Sequence, residues 1–318
     1  MFVSQGTYPT KLKLAKIEPI FKTDDVEDPN NYSPISLLSN INGIFEKLMY
    51  ARMISFIETH DILYKAQYGF RKSRSTQHAI LDIVNSVQSD MDKGLFSCGI
   101  FIDLKKAFDT VNHDILSKQQ HYGLRSIISE WFASYLSNCR QTIEISGTAS
   151  EQQSIDCGGP QVSVLSPLQF LIYMNDIQFS FTKFSYFLFA DDTNILYADK
   201  HLRSLKSLVN SELAKVYEWL TANGLALNIK KSNYFIFCPR RKVLIYKRKI
   251  LLHDKAKQSQ SSLECKDYVK YLGILLDKNL TFKNHIDHIT IKISKTAGMI
   301  SKLRDFLPKK YFYKFTIV

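Results

Sequence analysis

Apolar positions recur along this chain at helical and strand-like spacings. Ser39 and Asn40 can cap a helix, and Ile41, Ile44, Phe45, Leu48, Met49, Met53, Phe56 and Ile57 then form its predicted buried face. A second helix is predicted from about Thr76, with Ala79, Ile80, Ile83, Val84, Val87 and Met91 on one side. Residues 95–102, LFSCGIFI, are an apolar run of strand length that ends at Asp103. The pattern is helical again over 113–136, and QTIEISGTASEQQSI reads as a hairpin about Gly147. Pro167 suits the first turn of a helix running through Leu168, Phe170, Leu171, Tyr173 and Met174. SYFLFADDTNILYA reads as strand, acidic turn, strand. Leu202, Leu205, Leu208, Val209, Val216 and Leu220 mark a long amphipathic helix stopped by Asn223-Gly224. Strands are predicted at 233–237 and 269–276, with a basic stretch from Arg240 to Lys257 between them and a last helix over 284–304. The N-terminal stretch, punctuated by Pro9, Pro19, Pro29 and Pro34, reads as extended segments and turns. Strands and helices alternate in pairs rather than in strict βαβ order, which favours an α+β fold with an antiparallel sheet.

Composition narrows the class. The chain has 318 residues, 45% of them hydrophobic and 23% charged, so it is globular rather than disordered. Its five cysteines (Cys98, Cys139, Cys157, Cys238, Cys265) are scattered and never at C-x-x-C spacing, which argues against a disulfide scaffold or a zinc finger. No apolar run approaches the roughly 18 residues of a membrane helix, and MFVSQGTYPTKLKLAK has no signal-peptide core. The expectation is an intracellular chain, nuclear or cytoplasmic, with no membrane partner. Charge is lopsided: residues 1–200 carry 18 Lys and Arg against 22 Asp and Glu, while residues 201–318 carry 24 against 8. Either a polyanion, nucleic acid before anionic membrane, meets the C-terminal part, or that part is a solvated basic surface.

Two Asp-Asp pairs occur. Asp24-Asp25 lies in a polar loop and is read as solvated. Asp191-Asp192 sits between Tyr186, Phe187, Leu188, Phe189 and Ile195, Leu196, Tyr197, and carboxylates at the tip of a buried hairpin are costly unless compensated. Asp103 likewise closes an apolar strand, with Asp109 six residues on. Adjacent strands lie ~4.8 Å apart, so pairing would bring Asp103 to Asp191. Two carboxylates ~4 Å apart repel by about 4 kcal/mol at an effective dielectric of 20. A divalent cation removes that repulsion, and an oxygen-only donor set selects Mg²⁺ or Mn²⁺ over zinc. Spacing alone leaves open the other reading, in which these acids cap turns and pair with lysines.

The strings around these acids are more specific. NNYSPISLLSNINGIFEKLMYARM, QYGFRKSRSTQHAILDI, GIFIDLKKAFDTVNHDIL, CGGPQVSVLSPLQFLIYMNDI, FADDTNIL, NGLALNIKKSNYFIF and VKYLGILLD stand in this order. The chain resembles, from about Leu12 to Phe306, the successive blocks of non-LTR retrotransposon (LINE, jockey-like) reverse transcriptases. That resemblance implies a right-hand polymerase: fingers over 1–95, a ferredoxin-like palm over 96–280 with room for a fingers-like excursion at 113–140, and a partial helical thumb over 281–318. It implies an RNA-directed DNA polymerase, a nucleotidyltransferase acting on dNTPs with an RNA template and a DNA primer through two Mg²⁺ or Mn²⁺ ions. Asp103, Asp191 and Asp192 would be the catalytic metal ligands, joined by the backbone carbonyl of Leu104. Phe108 would be the steric gate that excludes a 2′-hydroxyl, Gln161 would lie against the incoming nucleotide, and Lys231 near its triphosphate. Lys22 and Arg71 would contact triphosphate and template, and Tyr271-Leu272-Gly273 would form the primer grip. The basic C-terminal part falls where a thumb would hold template and primer.

The chain departs from that pattern in places. Family members have Y-R-P-I-S where this chain has Ser33, and P-Q-G-S-V-L-G-P where it has Val162 and Ser166 in place of the glycines. A hydroxyl does not replace a bidentate guanidinium, and a misplacement of ~1 Å at a reacting centre can cost ~10²-fold in rate. The helix after Asp114 reads one residue short, and polymerase blocks leave no room for an endonuclease. These departures lead us to expect a fragment of a larger element protein with weak or no activity. A catalytically silent nucleic-acid-binding remnant is the alternative, and a two-metal nuclease a third reading. His285-x-x-His288, half a metal spacing, reads as helix surface. Arg240-Arg241-Lys242 and Lys247-Arg248-Lys249 read as a nuclear-localisation or nucleic-acid patch, or as a solvated loop.

Overall fold

The computed structural model describes residues 5–21, 25–113, 118, 120–145, 147–155, 157–158, 163–180, 183–239, 250–254 and 259–303. In chain order come β1 (Leu14–Phe21), β2 (Tyr32–Leu37), α1 (Asn40–Thr59), α2 (Thr76–Asp92), β3 (Phe96–Ile102) and β4 (Leu104–Lys105). Then follow α3 (Ile127–Leu136), β5 (Cys139–Ile145), β6 (Thr148–Ala149), β7 (Gln153–Ile155), α4 (Ser166–Met174), β8 (Ser185–Phe189) and β9 (Asp192–Asp199). The chain continues through α5 (Leu202–Ala222), β10 (Ala226–Leu227), β11 (Asn233–Phe237), β12 (Leu251–Asp254) and β13 (Ser259–Ser262). It closes with β14 (Glu264–Cys265), β15 (Tyr268–Tyr271), β16 (Ile274–Asp277) and α6 (Lys283–Leu303).

The central sheet has the order β14-β11-β3-β9-β8, antiparallel except for the β11–β14 pair. β3 is buried at every position, because both faces of the sheet are covered. Cys98, Ile100 and Ile102 join Tyr186, Ile195 and Tyr234 in one core with α4 and α5. Phe101 joins Phe187, Phe235 and Phe237 in a second core with Ala79, Ile83 and Val87 of α2. Gly99 lets the rings of Phe237 and Phe101 close over β3, since a Cβ there would meet them at 3.0 and 3.2 Å. A second sheet joins the β1–β2 hairpin to β5 by parallel pairing of β1, with β6 and β7 antiparallel to β5. The proline-punctuated N-terminal stretch is thus largely a hairpin, in which Pro19 faces Pro34.

Three expectations are revised. Along α1 the buried residues are Asn42, Glu46, Met49, Met53 and Ile57, while Ile41, Ile44 and Leu48 are exposed. The helix is turned because its polar residues have partners inside. Asn42 donates to the Leu12 carbonyl at 3.1 Å, and Glu46 accepts from the Tyr135 hydroxyl and the Val164 amide, both at 2.7 Å. Over 113–136 only Ile127–Leu136 is α-helical among the described residues, and Gly123 and Ser126 at positive φ break the stretch before it. Residues 114–117, where the short helix was expected, lie outside the described residues. Residues 269–276 form two strands joined at Leu272-Gly273, with φ of 43° and 94° in a tight turn of the kind that matches strand twist.

The hairpins about Gly147 and Asp191, the Pro167 helix and the helix ended by Asn223-Gly224 appear as expected. α6 packs on β16 near its start and exposes Ile286, Ile289, Ile293 and Met299. All five cysteines are free, and among the described residues no helix is long and apolar enough to cross a membrane.

Candidate active site

The register of β3 on β9 sets Ile102 opposite Thr193, so Asp103 stands one step beyond, at the end where Asp192 begins β9. On the other side of β9, Phe189 pairs with Asp192, leaving Ala190 and Asp191 as the two turn residues of the hairpin. Three aspartates from two distant stretches therefore meet at one rim of the sheet.

The backbone of Asp103 is clamped by the loop from β10 to β11. The Asn228 amide donates to the Asp103 carbonyl at 2.9 Å, and the Asp103 amide donates to Ser232 Oγ at 3.0 Å. Ser232 is fully buried. Lys231 rides on the same loop, its amide bonded to the Asn228 carbonyl at 3.1 Å and its side chain exposed. Leu104 follows in β4, paired with Leu227, its side chain buried.

The acids lie within electrostatic reach of one another. Partial burial, then Asp191 and Asp103, push the Asp192 carboxyl up to about 6. Asp191 is also raised, by burial first and by Asp103, against the lowering effect of its own backbone hydrogen bond. Among the described residues, none of the three pairs with a lysine or arginine, so the reading of these acids as salt-bridge partners finds no support. Oxygen donors under mutual repulsion fit a hard divalent cation in chemistry. The side chains do not form a closed cage: among the described residues no group of three or more His, Cys, Asp or Glu is gathered to hold a metal ion.

Phe108 lies on a single 3-10 turn, Ala107–Asp109, entered through Lys106 at φ 48°. Its ring lies 4.6 Å from Phe170 and meets Phe70 edge-on at 6.3 Å. Gly158 presses against the chain just beyond, where a Cβ would stand 2.7 Å from the Asp109 carbonyl oxygen. The Gly158 amide donates to the Val111 carbonyl at 2.7 Å, and His113 Nε2 contacts the Gly158 carbonyl at 2.6 Å. Phe108, Gly158, Ser166 and Gln169 line one small cavity. Ser166 opens α4 outside the positive-φ region, its amide donating to Ser163 Oγ at 3.3 Å. Gln161, Val162 and Lys22 lie outside the described residues. Ser33 stands opposite Ile20 in the β1–β2 register.

Arg71 turns inward. Its guanidinium donates to the carbonyls of Tyr64 at 3.0 Å and Gln67 at 3.4 Å, and burial followed by nearby Arg74 lowers its pKa. Tyr271 is buried edge-on to Phe101 at 5.8 Å, and burial, then Asp192, raise its hydroxyl's pKa, which places it within electrostatic reach of the acidic rim. Leu272 and Gly273 form the turn beside it. His285 Nδ1 accepts from the Leu275 amide at 3.4 Å, and His288 is exposed on α6. Sequence reasoning did not single out Asn228, Ser232 or Glu46. Ser232 carries one usable signal, as the last polar residue before β11 in the NGLALNIKKSNYFIF block.

The three aspartates thus lie at one rim of the central sheet of a mixed α/β domain. The family model for reverse transcriptase (RNA-dependent DNA polymerase) matches residues 20–276, and the chain belongs to that family. Its relatives include the probable RNA-directed DNA polymerase from transposon X-element of Drosophila melanogaster, 27% identical over 90% of this chain and 31% of that protein. The RNA-directed DNA polymerase from mobile element jockey of the same organism is 26% identical over 93% of this chain and 33% of its own length. This is a reverse-transcriptase domain related to non-LTR retrotransposon polymerases, and it spans about a third of the length of those relatives. Among solved structures, telomerase from Candida tropicalis with a TWJ fragment of telomeric RNA has the same fold, with a TM-score of 0.57 at 12% identity over 87% of this chain and 45% of that one.

Proposed function

We propose that this chain is the RNA-directed DNA polymerase part of a mobile-element protein, acting inside the cell on dNTPs, an RNA template and a DNA primer. In this reading residues 1–95 are fingers, 96–280 a palm and 281–318 a partial thumb. The observation that carries it is the strand register that sets Asp103 at the sheet end where Asp191 and Asp192 lie, with no Lys or Arg pairing to them among the described residues and with Asp103 adding to the raised pKa of both.

In the reaction the primer 3′-hydroxyl gives up its proton to solvent, its oxygen forms a bond to the α-phosphorus of a dNTP, the bond to the bridging oxygen breaks, and pyrophosphate leaves. Asp103, Asp191, Asp192 and the Leu104 carbonyl would hold two Mg²⁺ or Mn²⁺ ions, which supply charge neutralisation at both oxygens. Phe108, braced by Phe170, bounds the sugar and excludes a 2′-hydroxyl. Gln161 orients the nucleotide, and Lys231, carried on the loop that clamps Asp103, gives a proton to the departing pyrophosphate. Lys22 meets the triphosphate. Arg71 spends two contacts on its own loop and offers its remaining N–H groups to triphosphate or template. Tyr271-Leu272-Gly273 holds the primer end.

Ser33, Val162 and Ser166 weaken this activity in the present copy. Primer extension on an RNA template with Mg²⁺ tests both statements. Incorporation abolished by Asp191→Asn supports the polymerase, and a gain in Val162→Gly with Ser33→Arg supports the impairment. Equal extension by the chain and the double variant removes the impairment. The absence of a closed carboxylate cage among the described residues favours one second reading, a silent nucleic-acid-binding remnant. Template–primer binding without any incorporation would select it.

A further inference from the structure

Asp191 owes its position to a turn that is strained as it stands. β8 and β9 are joined by Ala190 and Asp191 alone, and Ala190 sits at φ 56°, a conformation open to glycine and costly for alanine. Such a turn persists where its surroundings over-determine it.

Those surroundings come from the segment between α1 and α2. Gln67 runs parallel beside Leu188, whose amide donates to the Ala66 carbonyl at 2.9 Å and whose carbonyl accepts from the Tyr68 amide at 2.8 Å. The Gln67 side chain, 1% exposed, reaches under the turn. Its Oε1 accepts from the Gly69 amide at 2.9 Å and from the Ala190 amide at 3.3 Å. Gly69 meets the turn backbone to backbone, for a Cβ there would stand 2.3 Å from the Ala190 nitrogen. Gln67 Nε2 is buried without a partner. A group kept for packing alone would not carry that unsatisfied donor, so the amide is retained for its oxygen.

We propose that Gln67 is a positioning residue: its buried oxygen, with the bare backbone of Gly69, fixes the Ala190 amide and so aims the Asp191 carboxylate at Asp103. The purpose of that aim rests on the polymerase reading, while the fixing itself does not.

Two measurements on the full chain test it. Amide hydrogen exchange without metal reads the hydrogen bond. Gln67→Met, similar in length but lacking the acceptor, should lower protection at Gly69 and Ala190 about tenfold, with the amides of Phe96–Ile102 unchanged. Gln67→Glu keeps the acceptor and should keep the protection. Manganese titration followed by electron paramagnetic resonance reads the consequence, with Mn²⁺ binding ~10-fold weaker in both Gln67→Met and Gly69→Ala. Unchanged Ala190 exchange in Gln67→Met overturns the proposal, as does equal loss of protection in Gln67→Glu. Unchanged Mn²⁺ affinity in Gly69→Ala overturns it too, even if Gln67→Met fails to fold. A chain that binds no Mn²⁺ before any substitution sinks the polymerase reading, and the exchange data alone then decide the role of Gln67.

Discussion

The two arms of the acidic rim meet the same requirement by opposite means. Asp103 ends a relaxed, buried strand, and its main chain is satisfied on both sides by Asn228 and Ser232. Asp191 and Asp192 leave a turn whose first residue is held at positive φ, and both carboxyls are raised above their ordinary range. Stability is therefore invested on the Asp103 side, and strain and charge are concentrated on the hairpin side. Pairs of this kind are expected where a site must be rigid in one part and responsive to a ligand in another.

Substitutions can break that contrast. The largest effect is expected from removing a carboxylate. Asp103→Asn or Asp191→Asn should lower Mg²⁺-dependent incorporation by about 10³-fold, several kcal/mol of transition-state stabilisation, in a primer-extension assay. The melting temperature without metal should not fall, because a repulsion has been removed. Next comes Ser232→Ala, which removes a fully buried hydroxyl and leaves the Asp103 amide without its acceptor, and should cost roughly 1–3 kcal/mol in urea unfolding. Ala190→Gly should act in the other direction. By relieving the positive-φ strain it should stabilise the metal-free fold by about 1 kcal/mol in thermal melts, while loosening the aim of Asp191.

The smallest and most diagnostic effect is with pH. The folded chain holds the Asp192 proton more tightly than the unfolded chain, its carboxyl standing near 6 against an ordinary 3.8. The stability this contributes is complete below about pH 4 and fades as pH rises through about 6. Asp192→Asn should flatten that part of a pH–stability curve measured without metal, and metal binding should weaken as pH falls below 6.

Much of this frame was legible in the sequence because packing on known faces sets periodicity. α2, buried through Ala79, Ile83 and Val87, and β3, buried throughout and apolar but for Ser97, follow that rule. α1 defeats it, since Asn42 and Glu46 point inward to partners that no spacing reveals. The break at Leu272 is hidden for a similar reason, a leucine occupying a positive-φ turn position. At the site the aspartates stood out by their apolar flanks and by the order of the motif blocks. Ser232 and Gln67 did not, because a side chain bonded to a main-chain group 129 or 123 residues away leaves no local pattern.

Calorimetric titration of Mn²⁺ into the full chain and its Asp103→Asn and Asp191→Asn variants tests the central claim most directly. If residues 103 and 191 share a cation, both substitutions should abolish the same binding event. Affinity that survives Asp103→Asn unchanged while vanishing in Asp191→Asn would contradict it.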